Sequence, residues 1–283
     1  MVSGGGSGYE PLHAGFVGFG MLDAACPGNI STSPAPDQIE AAAKADDSGQ
    51  GVLFITKNYT GDLMNFETAE VLCESEEIKT ASVIISGDEA VKDSLYTAGH
   101  KGVGATVFAE KICGAKAETG TSLEAVTKLA LRGNENARSI GVAAASCTVP
   151  ATGKPTFTIA EDEVEFGTGI YGEPGSTRIP PKPAGEPAEM MLEPILKDLP
   201  HKPGDSAIVI LNGMGRTPLL ELYLLYTEVY AVLAADGFPP VRSPVGNHTT
   251  SIETQGFSVT CMKADQEMLS CWDAPVNTPA LRW

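Results

Sequence analysis

Basic residues are scarce in this chain, where 19 lysines and arginines stand against 36 aspartates and glutamates among 283 residues, a formal net charge of −17. So acidic a surface repels a phosphate backbone, which argues against nucleic acid as a partner. No run approaches about 18 consecutive apolar residues, and the N-terminal residues 1–4 lack the basic and apolar stretches of a signal peptide. These absences predict a soluble cytoplasmic protein that does not bind a membrane.

Cysteine pairs at metal-ligand spacing are also missing. The chain has no Cys-x-x-Cys pair, and no histidine stands near a cysteine at zinc-ligand spacing. We therefore expect no metal site, and we expect free, buried thiols in a reducing compartment. The six cysteines are Cys26, Cys73, Cys113, Cys147, Cys261 and Cys271.

Short apolar runs alternate with alanine-rich or amphipathic stretches, which is typical of an α/β fold. The runs at 51–56, 81–86, 139–145, 207–211 and 257–262 predict buried parallel strands. The stretches at 37–44, 66–74, 105–117, 122–131 and 217–236 predict helices.

Two α/β domains with mostly parallel or mixed sheets fit this order of elements. We place the boundary near Asn136, because strand-like stretches on either side of residues 147–150 begin a new unit. The first domain would then cover residues 1–136 and the second residues 137–283. Residues 174–187 hold five prolines and two glycines, which predicts a connection or an exposed loop.

The N-terminal run Gly4-Gly5-Gly6-Ser7-Gly8, followed by Tyr9, is rich in glycine. Glycines allow backbone N–H groups to turn toward a small oxygen-rich ligand without obstruction from a Cβ atom. A flexible terminus has the same composition. The glycines alone leave both interpretations open.

Residues 57–62 directly follow the predicted strand 51–56 and bring together a lysine, an asparagine, hydroxyl groups and the carboxylate of Asp62. Ligands of open α/β sheets bind at the carboxyl ends of the strands, so this position favours a binding site that includes Lys57. Asp62 is equally suited to cap a helix that begins near Asn65 and Phe66.

A strand-like run at 166–175 ends in a glycine-rich turn that presents Tyr171. Glycines on both sides of one bulky side chain indicate a tight backbone around a presented group. An ordinary strand end with a packed aromatic ring has the same pattern.

These segments and several others resemble, in the same order, the K subunit of the dihydroxyacetone kinase family. The similarity covers essentially the whole chain, and the ordered set is far more specific than any single motif. The matching segments are Gly4-Gly5-Gly6-Ser7-Gly8-Tyr9-Glu10-Pro11, Ala25-Cys26-Pro27-Gly28, Thr32-Ser33-Pro34, residues 57–62 with Asn65-Phe66, Tyr96-Thr97-Ala98-Gly99, Cys147-Thr148-Val149-Pro150, Gly153-Lys154-Pro155, residues 169–175, Asp273-Ala274-Pro275 and Thr278-Pro279-Ala280.

The resemblance implies a protein that holds dihydroxyacetone or a similar short-chain ketose and presents its hydroxyl to a phosphoryl donor. In the family the donor is bound by a separate L-type subunit, so we expect ATP or ADP with Mg²⁺ there and no cofactor on this chain. Gly6, Ser7 and Gly8 would line the ketose pocket, and Lys57 and Asp62 would contact the substrate hydroxyls. Asp62 would also take the proton of the attacking hydroxyl. Family members are commonly homodimers.

Two positions depart from the family pattern, because Tyr9 and Tyr171 stand where the family has histidines. In the family the later histidine adds to the ketone carbonyl, and the earlier one assists proton transfer. A phenol with a pKa of about 10 is mostly protonated at neutral pH and forms no comparable adduct. Two functions stay open: a kinase subunit, or a non-catalytic paralogue that senses a ketose and acts as a regulator or coactivator.

Three further features bear on the comparison with the family. His13 lies four residues after Tyr9 and is the histidine nearest to a site motif, although a structural role is favoured for it. The segment before the glycine run is shorter than is usual in the family. Asn212-Gly213-Met214-Gly215 replaces an Asn-Asn-Leu-Gly turn, which predicts a modest backbone difference there.

Overall fold

The computed structural model describes residues 1–87, 102–170 and 175–283 and the backbone of the short strands β5 (Asp93–Ser94) and β6 (Thr97–Ala98). Four parallel strands form its first sheet. The strands are β1 (Val2–Ser7), β2 (Ala24–Ile30), β3 (Val52–Lys57) and β4 (Thr80–Ile85), in the order β2-β1-β3-β4. All three pairings are parallel, so the predicted direction of strands 51–56 and 81–86 is confirmed.

Four helices accompany this sheet: α1 (Pro36–Asp46), α2 (Thr60–Ser75), α3 (Ala105–Ala117) and α4 (Leu123–Glu135). Proline in the first turn of α1 and a Ser122 side chain that accepts from the Ala125 N–H of α4 explain two of the starts. Helix α2 begins six residues before the predicted residue 66. Gly61 in its first turn leaves room for Ser33, since a Cβ atom at position 61 would lie only 2.7 Å from Ser33 Oγ.

A second, mixed sheet holds seven strands in the order β11-β10-β7-β15-β12-β13, with β14 also paired to β12. The strands are β7 (Ala137–Ala145), β10 (Val164–Phe166), β11 (Thr177–Ile179), β12 (Ser206–Gly213), β13 (Pro240–Arg242), β14 (Val245–Gly246) and β15 (Gln255–Ala264), and β8 (Thr148–Val149) and β9 (Lys154–Pro155) form a separate pair. The prediction of parallel strands is wrong here, because β15 runs antiparallel to both β7 and β12. An apolar run indicates burial on both faces but not the direction of its neighbours.

Three helices accompany the second sheet: α5 (Gly185–Asp198), α6 (Leu219–Ala235) and α7 (Gln266–Asp273). Helix α6 was predicted, whereas α5 and α7 were not. Prolines at 187 and 194 lie within α5, and proline argues against a helix in the sequence. Helix α7 has only eight residues after its Asp265 N-cap, which is too short for a clear helical pattern. The expected loop at 174–187 therefore contains the edge strand β11 and the start of α5. No helix in the described ranges is long and apolar enough to cross a membrane.

Helix α3 lies between the two sheets, and every residue from Ala105 to Ala115 is buried. One apolar cluster joins Ile55 of β3, Phe108 and Ile112 of α3, and Ile208 and Met262 of the second sheet. Polar side chains within residues 105–115, such as that of Glu110, are therefore buried as well. Strand β7 begins next to the proposed boundary, and the division into domains at residues 136 and 137 stays a prediction.

Candidate functional site

The glycine run at the N-terminus is strand β1, and it pairs with β2 on one side and β3 on the other. The alternative of a flexible terminus is therefore wrong. A Cβ atom on Gly5 would lie 2.2 Å from the Lys57 ammonium nitrogen, and one on Gly6 would lie 2.7 Å from the Thr32 amide nitrogen. Glycine is needed at both positions because the buried Lys57 side chain lies against Gly5 and the turn at Thr32 lies against Gly6.

Lys57, the last residue of β3, is completely buried. Its Nζ donates to the Gly4 carbonyl oxygen at 2.8 Å, lies 2.6 Å from His13 Nε2 and lies 3.5 Å from Asp62 Oδ2. An ammonium group has three protons and no acceptor, so it can donate to Gly4 and His13 and still direct a proton toward Asp62, with which it forms an ion pair. The site therefore holds this cation in one orientation.

Asp62 is the third residue of α2 and is 1% exposed. The helix begins at Thr60, so the alternative that Asp62 caps a helix starting near Asn65 is wrong. Asp62 Oδ2 faces the lysine, and Oδ1 has no hydrogen-bond partner among the described residues. The first turn of a helix favours a negative charge. The result is a buried carboxylate with one oxygen available to an additional donor.

His13 and Glu110 continue the polar cluster behind Lys57. His13 Nδ1 lies 2.6 Å from Glu110 Oε1 and 3.0 Å from Ser3 Oγ. Burial, followed by the nearby Lys57 charge, holds the pKa of His13 well below its usual value. Burial also raises the pKa of Glu110 to about 8, although Lys57 opposes this shift. The sequence motifs did not reveal Glu110, whose visible signal is a carboxylate in the apolar helix α3.

Tyr9 follows the glycine strand and is 4% exposed. Burial raises the pKa of its phenol above the usual value, and a hydrogen bond with Ser31 opposes the shift. The phenol therefore stays protonated and remains a hydrogen-bond donor. Nearby, Ser7 Oγ donates to the Gly28 carbonyl, and the Gly8 N–H donates to the Glu10 carboxylate.

An open cleft of about 560 Å³ lies beside these residues. Its walls are the turn at residues 31–33, the start of α2 at residues 59–61, and Asn65. Most of these side chains carry a hydroxyl or an amide group. The cleft is therefore polar and borders the first turn of α2, the turn that contains Asp62.

The loop between β14 and β15 of the second sheet holds the residues that follow the glycine strand in place. The Thr250 N–H donates to the Tyr9 carbonyl at 3.1 Å, and the Ile252 N–H donates to the Gly8 carbonyl at 2.6 Å. Thr250 Oγ1 also donates to the Glu10 carbonyl at 2.8 Å. The loop at residues 247–252 therefore connects the two halves of the chain at the site.

Asn212, the last residue but one of β12, orders this loop. Its Oδ1 accepts from the His248 and Thr249 N–H groups, and its Nδ2 donates to the Thr249 carbonyl and to Ser258 Oγ. All four hydrogen-bonding positions of the buried amide are used. The sequence singled out Asn212 only as part of a changed turn, because its partners lie 36 to 46 residues away.

Some predicted features fall elsewhere. Tyr171 lies outside the described residues, as do Tyr96 and Gly99 of the motif at 96–99. All six cysteines are buried and free, which confirms the expectation of unpaired thiols. Within the described part of the chain, no group of three or more histidine, cysteine, aspartate or glutamate side chains is placed to hold a metal ion.

Known proteins share both the sequence and the fold. The model of the Dak1 domain family matches residues 1–280. The dihydroxyacetone-binding subunit of the PEP-dependent dihydroxyacetone kinase of Escherichia coli (strain K12) is 45% identical over 307 residues, which cover 100% of this chain and 86% of that protein. The corresponding subunit of PTS-dependent dihydroxyacetone kinase 1 of Listeria innocua is 45% identical over 281 residues, 99% of this chain and 85% of that protein.

Among solved structures, the dihydroxyacetone kinase operon co-activator Dha-DhaQ superposes with a TM-score of 0.93 at 34% identity. The match covers 99% of this chain and 86% of that one. Both kinase subunits and a co-activator therefore share this fold.

Proposed function

This chain belongs to the Dak1 domain family, that of the substrate-binding subunits of dihydroxyacetone kinases. We propose that its site holds dihydroxyacetone or a similar short-chain ketose while a partner subunit supplies the phosphoryl group. Gly6, Ser7 and Gly8 form one wall of the ketose pocket. Asp62 accepts a hydrogen bond from the attacking hydroxyl and takes its proton. Lys57 orients that carboxylate, and the proton that it directs at Asp62 Oδ2 is shared with a substrate hydroxyl.

The observation that carries this proposal is the free oxygen of Asp62. A buried carboxylate oxygen without a partner is costly, and a substrate hydroxyl would satisfy it. Oδ2 is oriented by Lys57, so a hydroxyl bound at Oδ1 meets a base that is already in place. Phosphoryl transfer depends mainly on such positioning and on electrostatic stabilisation.

The phosphoryl donor comes from a second protein in this proposal. No segment of the chain resembles a Walker loop or a kinase glycine loop with its partner motifs. We place ATP or ADP with Mg²⁺ on an L-type subunit, and the named relatives draw ultimately on PEP or on a PTS. The open cleft at residues 31–33 and 59–61 gives the donor a route to the ketose.

The two tyrosines make the bound state of the ketose non-covalent in this proposal. The buried Tyr9 phenol is protonated and donates a hydrogen bond, and Tyr171 offers no nitrogen to the carbonyl. We expect an unchanged protein mass after incubation with dihydroxyacetone and, in a soaked crystal, a ketose separated from both side chains. A stable adduct, or density continuous from the ketone carbon to residue 171, would contradict this.

The test of the proposed function is Asp62→Asn, assayed with dihydroxyacetone and a supplied L-type subunit. Asparagine keeps the shape of the side chain but removes the base, so kcat of the folded variant should fall by roughly 10²-fold or more. The melting temperature should fall as well, because the buried Lys57 loses its counter-charge. Asp37→Asn is the matched control, because Asp37 lies in the first turn of α1 and is exposed. If both variants turn over like the parent, Asp62 is not the base.

A ketose-sensing regulator or coactivator is the second candidate, favoured by the TM-score of 0.93 to the co-activator Dha-DhaQ. This function needs ketose binding but no turnover. A parent protein that binds dihydroxyacetone, yet is inactive with L-type subunits, would favour the regulator.

We also propose that the protein is a homodimer, as is common in the family. Helix α6 presents a row of apolar side chains to solvent, with exposed Leu219, Leu220, Tyr223 and Leu224. A row of this kind on the surface of a soluble protein is typical of an interface. Burial of this face against a second copy would remove it from water.

A further inference from the structure

Behind the pair formed by Lys57 and Asp62 lie two more ionisable side chains, His13 and Glu110, to which the proposed function gives no task. We infer that both are positioning residues for phosphoryl transfer: Glu110 orients the ring of His13, and His13 holds the Lys57 ammonium against Asp62. This inference rests on the proposed function, since it describes how the base of that reaction is held. Neither side chain needs to touch the substrate.

The direction of each hydrogen bond follows from the lysine. An ammonium group only donates, so His13 Nε2, 2.6 Å from Lys57 Nζ, must be an unprotonated acceptor. A neutral ring then carries its proton on Nδ1, which donates to Glu110 Oε1 at 2.6 Å. Ser3 Oγ donates to the Ile55 carbonyl, so it can only accept from the ring. The tautomer is therefore determined by the surroundings of the ring.

The same tautomer holds in either protonation state of Glu110. If Glu110 Oε1 carried a proton directed at Nδ1, Nδ1 would have to accept it, and the proton of the neutral ring would lie on Nε2. That proton would then face the protons of the Lys57 ammonium, which is repulsive. A proton on Oε2, which has no hydrogen-bond partner among the described residues, leaves Oε1 as an acceptor. Glu110 thus orients the ring as a carboxylate or as a carboxylic acid.

Charge balance explains why so many ionisable groups can be buried together. Burial keeps His13 neutral by lowering its pKa, and the pKa of Glu110, raised by burial to about 8, keeps the carboxyl largely protonated at neutral pH. Lys57 and Asp62 are then the charged members of the cluster and compensate each other. A buried pair that is compensated and hydrogen-bonded avoids the large penalty of an isolated charge.

The consequence for the reaction is a lysine with two of its three protons already engaged. The Gly4 carbonyl and His13 Nε2 fix the Nζ position, and the third proton is directed at Asp62 Oδ2. The carboxylate is thereby turned so that Oδ1 stays free for a hydroxyl. Loss of the ring acceptor would release the lysine and let the carboxylate rotate away from its productive position.

Two variants of His13 in the full chain test the inference. His13→Leu removes both ring nitrogens, whereas the amide of His13→Gln keeps a donor for Glu110 and an acceptor for Lys57. With dihydroxyacetone and an L-type subunit, kcat of the leucine variant should be about 10-fold to 100-fold below that of the glutamine variant, with KM changed by no more than about twofold. In the parent, ¹⁵N NMR of labelled histidine should show a neutral His13 ring protonated at Nδ1.

Each outcome decides a separate point. A charged ring at neutral pH, or a proton on Nε2, overturns the inference whether or not the protein is active. Equal kcat values in folded His13→Leu and His13→Gln overturn the positioning role. If the parent is inactive with L-type subunits, the proposed function fails, and a crystal structure of His13→Leu then tests the inference. A Lys57 side chain still directed at both Gly4 and Asp62 would overturn it. A displaced lysine would support it.

Discussion

The first sheet and the second sheet contribute different chemistry to the same site. The segments around the first sheet bring charged and titratable side chains, with Lys57 at the end of β3, Asp62 in α2 and His13 after β1 buried together. The second sheet reaches the site through the neutral loop at residues 247–252, which Asn212 holds. The first region supplies reactive groups, and the second fixes the backbone that surrounds them.

The physical cost of disturbing each region differs accordingly. Removal of one partner from a buried ion pair leaves an uncompensated charge, which costs about 3 to 5 kcal/mol. A buried neutral group without its hydrogen bond costs about 1 to 3 kcal/mol. Substitutions in the first region should therefore affect stability more than those in the second, and they should affect activity as well.

Lys57→Met should have the largest effect. Methionine fills similar space but leaves Asp62 buried without its cation, so the free energy of unfolding should fall by about 3 to 5 kcal/mol, measured by urea denaturation. Phosphorylation of dihydroxyacetone should be lost as well. Lys44→Met is the control, because Lys44 pairs with Glu40 and Glu76 at the surface and should cost less than about 1 kcal/mol. Equal losses in both variants would show that the cost does not come from the burial of the pair formed by Lys57 and Asp62.

Asn212→Leu should have an intermediate effect. It deprives several buried backbone groups of the 247–250 segment of their partner, so the free energy of unfolding should fall by about 2 to 3 kcal/mol. The affinity for dihydroxyacetone, measured by calorimetry, should weaken because the loop no longer orders the backbone of Gly8 and Tyr9. Asn212→Asp keeps the acceptor oxygen but buries an unpaired carboxylate whose second oxygen faces the Thr249 carbonyl, so it should be at least as damaging. A leucine variant with unchanged affinity would show that the loop does not shape the pocket.

Glu110→Gln should have the smallest effect of the three at pH 5, where Glu110 is protonated in the folded protein, and its effect should grow as the pH rises. The folded-state pKa of Glu110 is raised from 4.5 to about 8, so its contribution to stability is present below pH 4.5 and is lost as the pH rises through about 8. Glutamine does not ionise, so the melting temperature of the variant minus that of the parent should increase from pH 5 to pH 8.

The exposed Glu124 provides the control for this pH experiment. Its hydrogen bond with Lys79 lowers its pKa to about 2, so Glu124→Gln should differ from the parent by a constant amount across the same range. A constant difference for Glu110→Gln as well would mean that Glu110 is not protonated in the folded protein near neutral pH.

Much of the first region was predictable because its signals are local. The apolar run before Lys57 and the polar run after it predicted a strand that ends in a site, and the structure places Lys57 and Asp62 3.5 Å apart. Helix α3 was predicted with its observed bounds. The role of Glu110 was not predictable, because its partner His13 is 97 residues away and no pattern within α3 indicates what the helix faces.

The sequence by itself determined the end of β3 to within one residue, the start of α3 and the candidates for the base. Turns, helix periodicity and side-chain chemistry act over a few neighbouring residues, so these features could be read locally. Tertiary structure alone decided that β15 runs antiparallel between β7 and β12, that the 247–252 loop holds Tyr9, and that Glu110 meets His13 behind Lys57. The physical reason is the same in each case. The hydrophobicity and charge of a residue indicate whether it must be buried or paired. Which residue it packs against or pairs with depends on the packing of segments that are distant in the sequence.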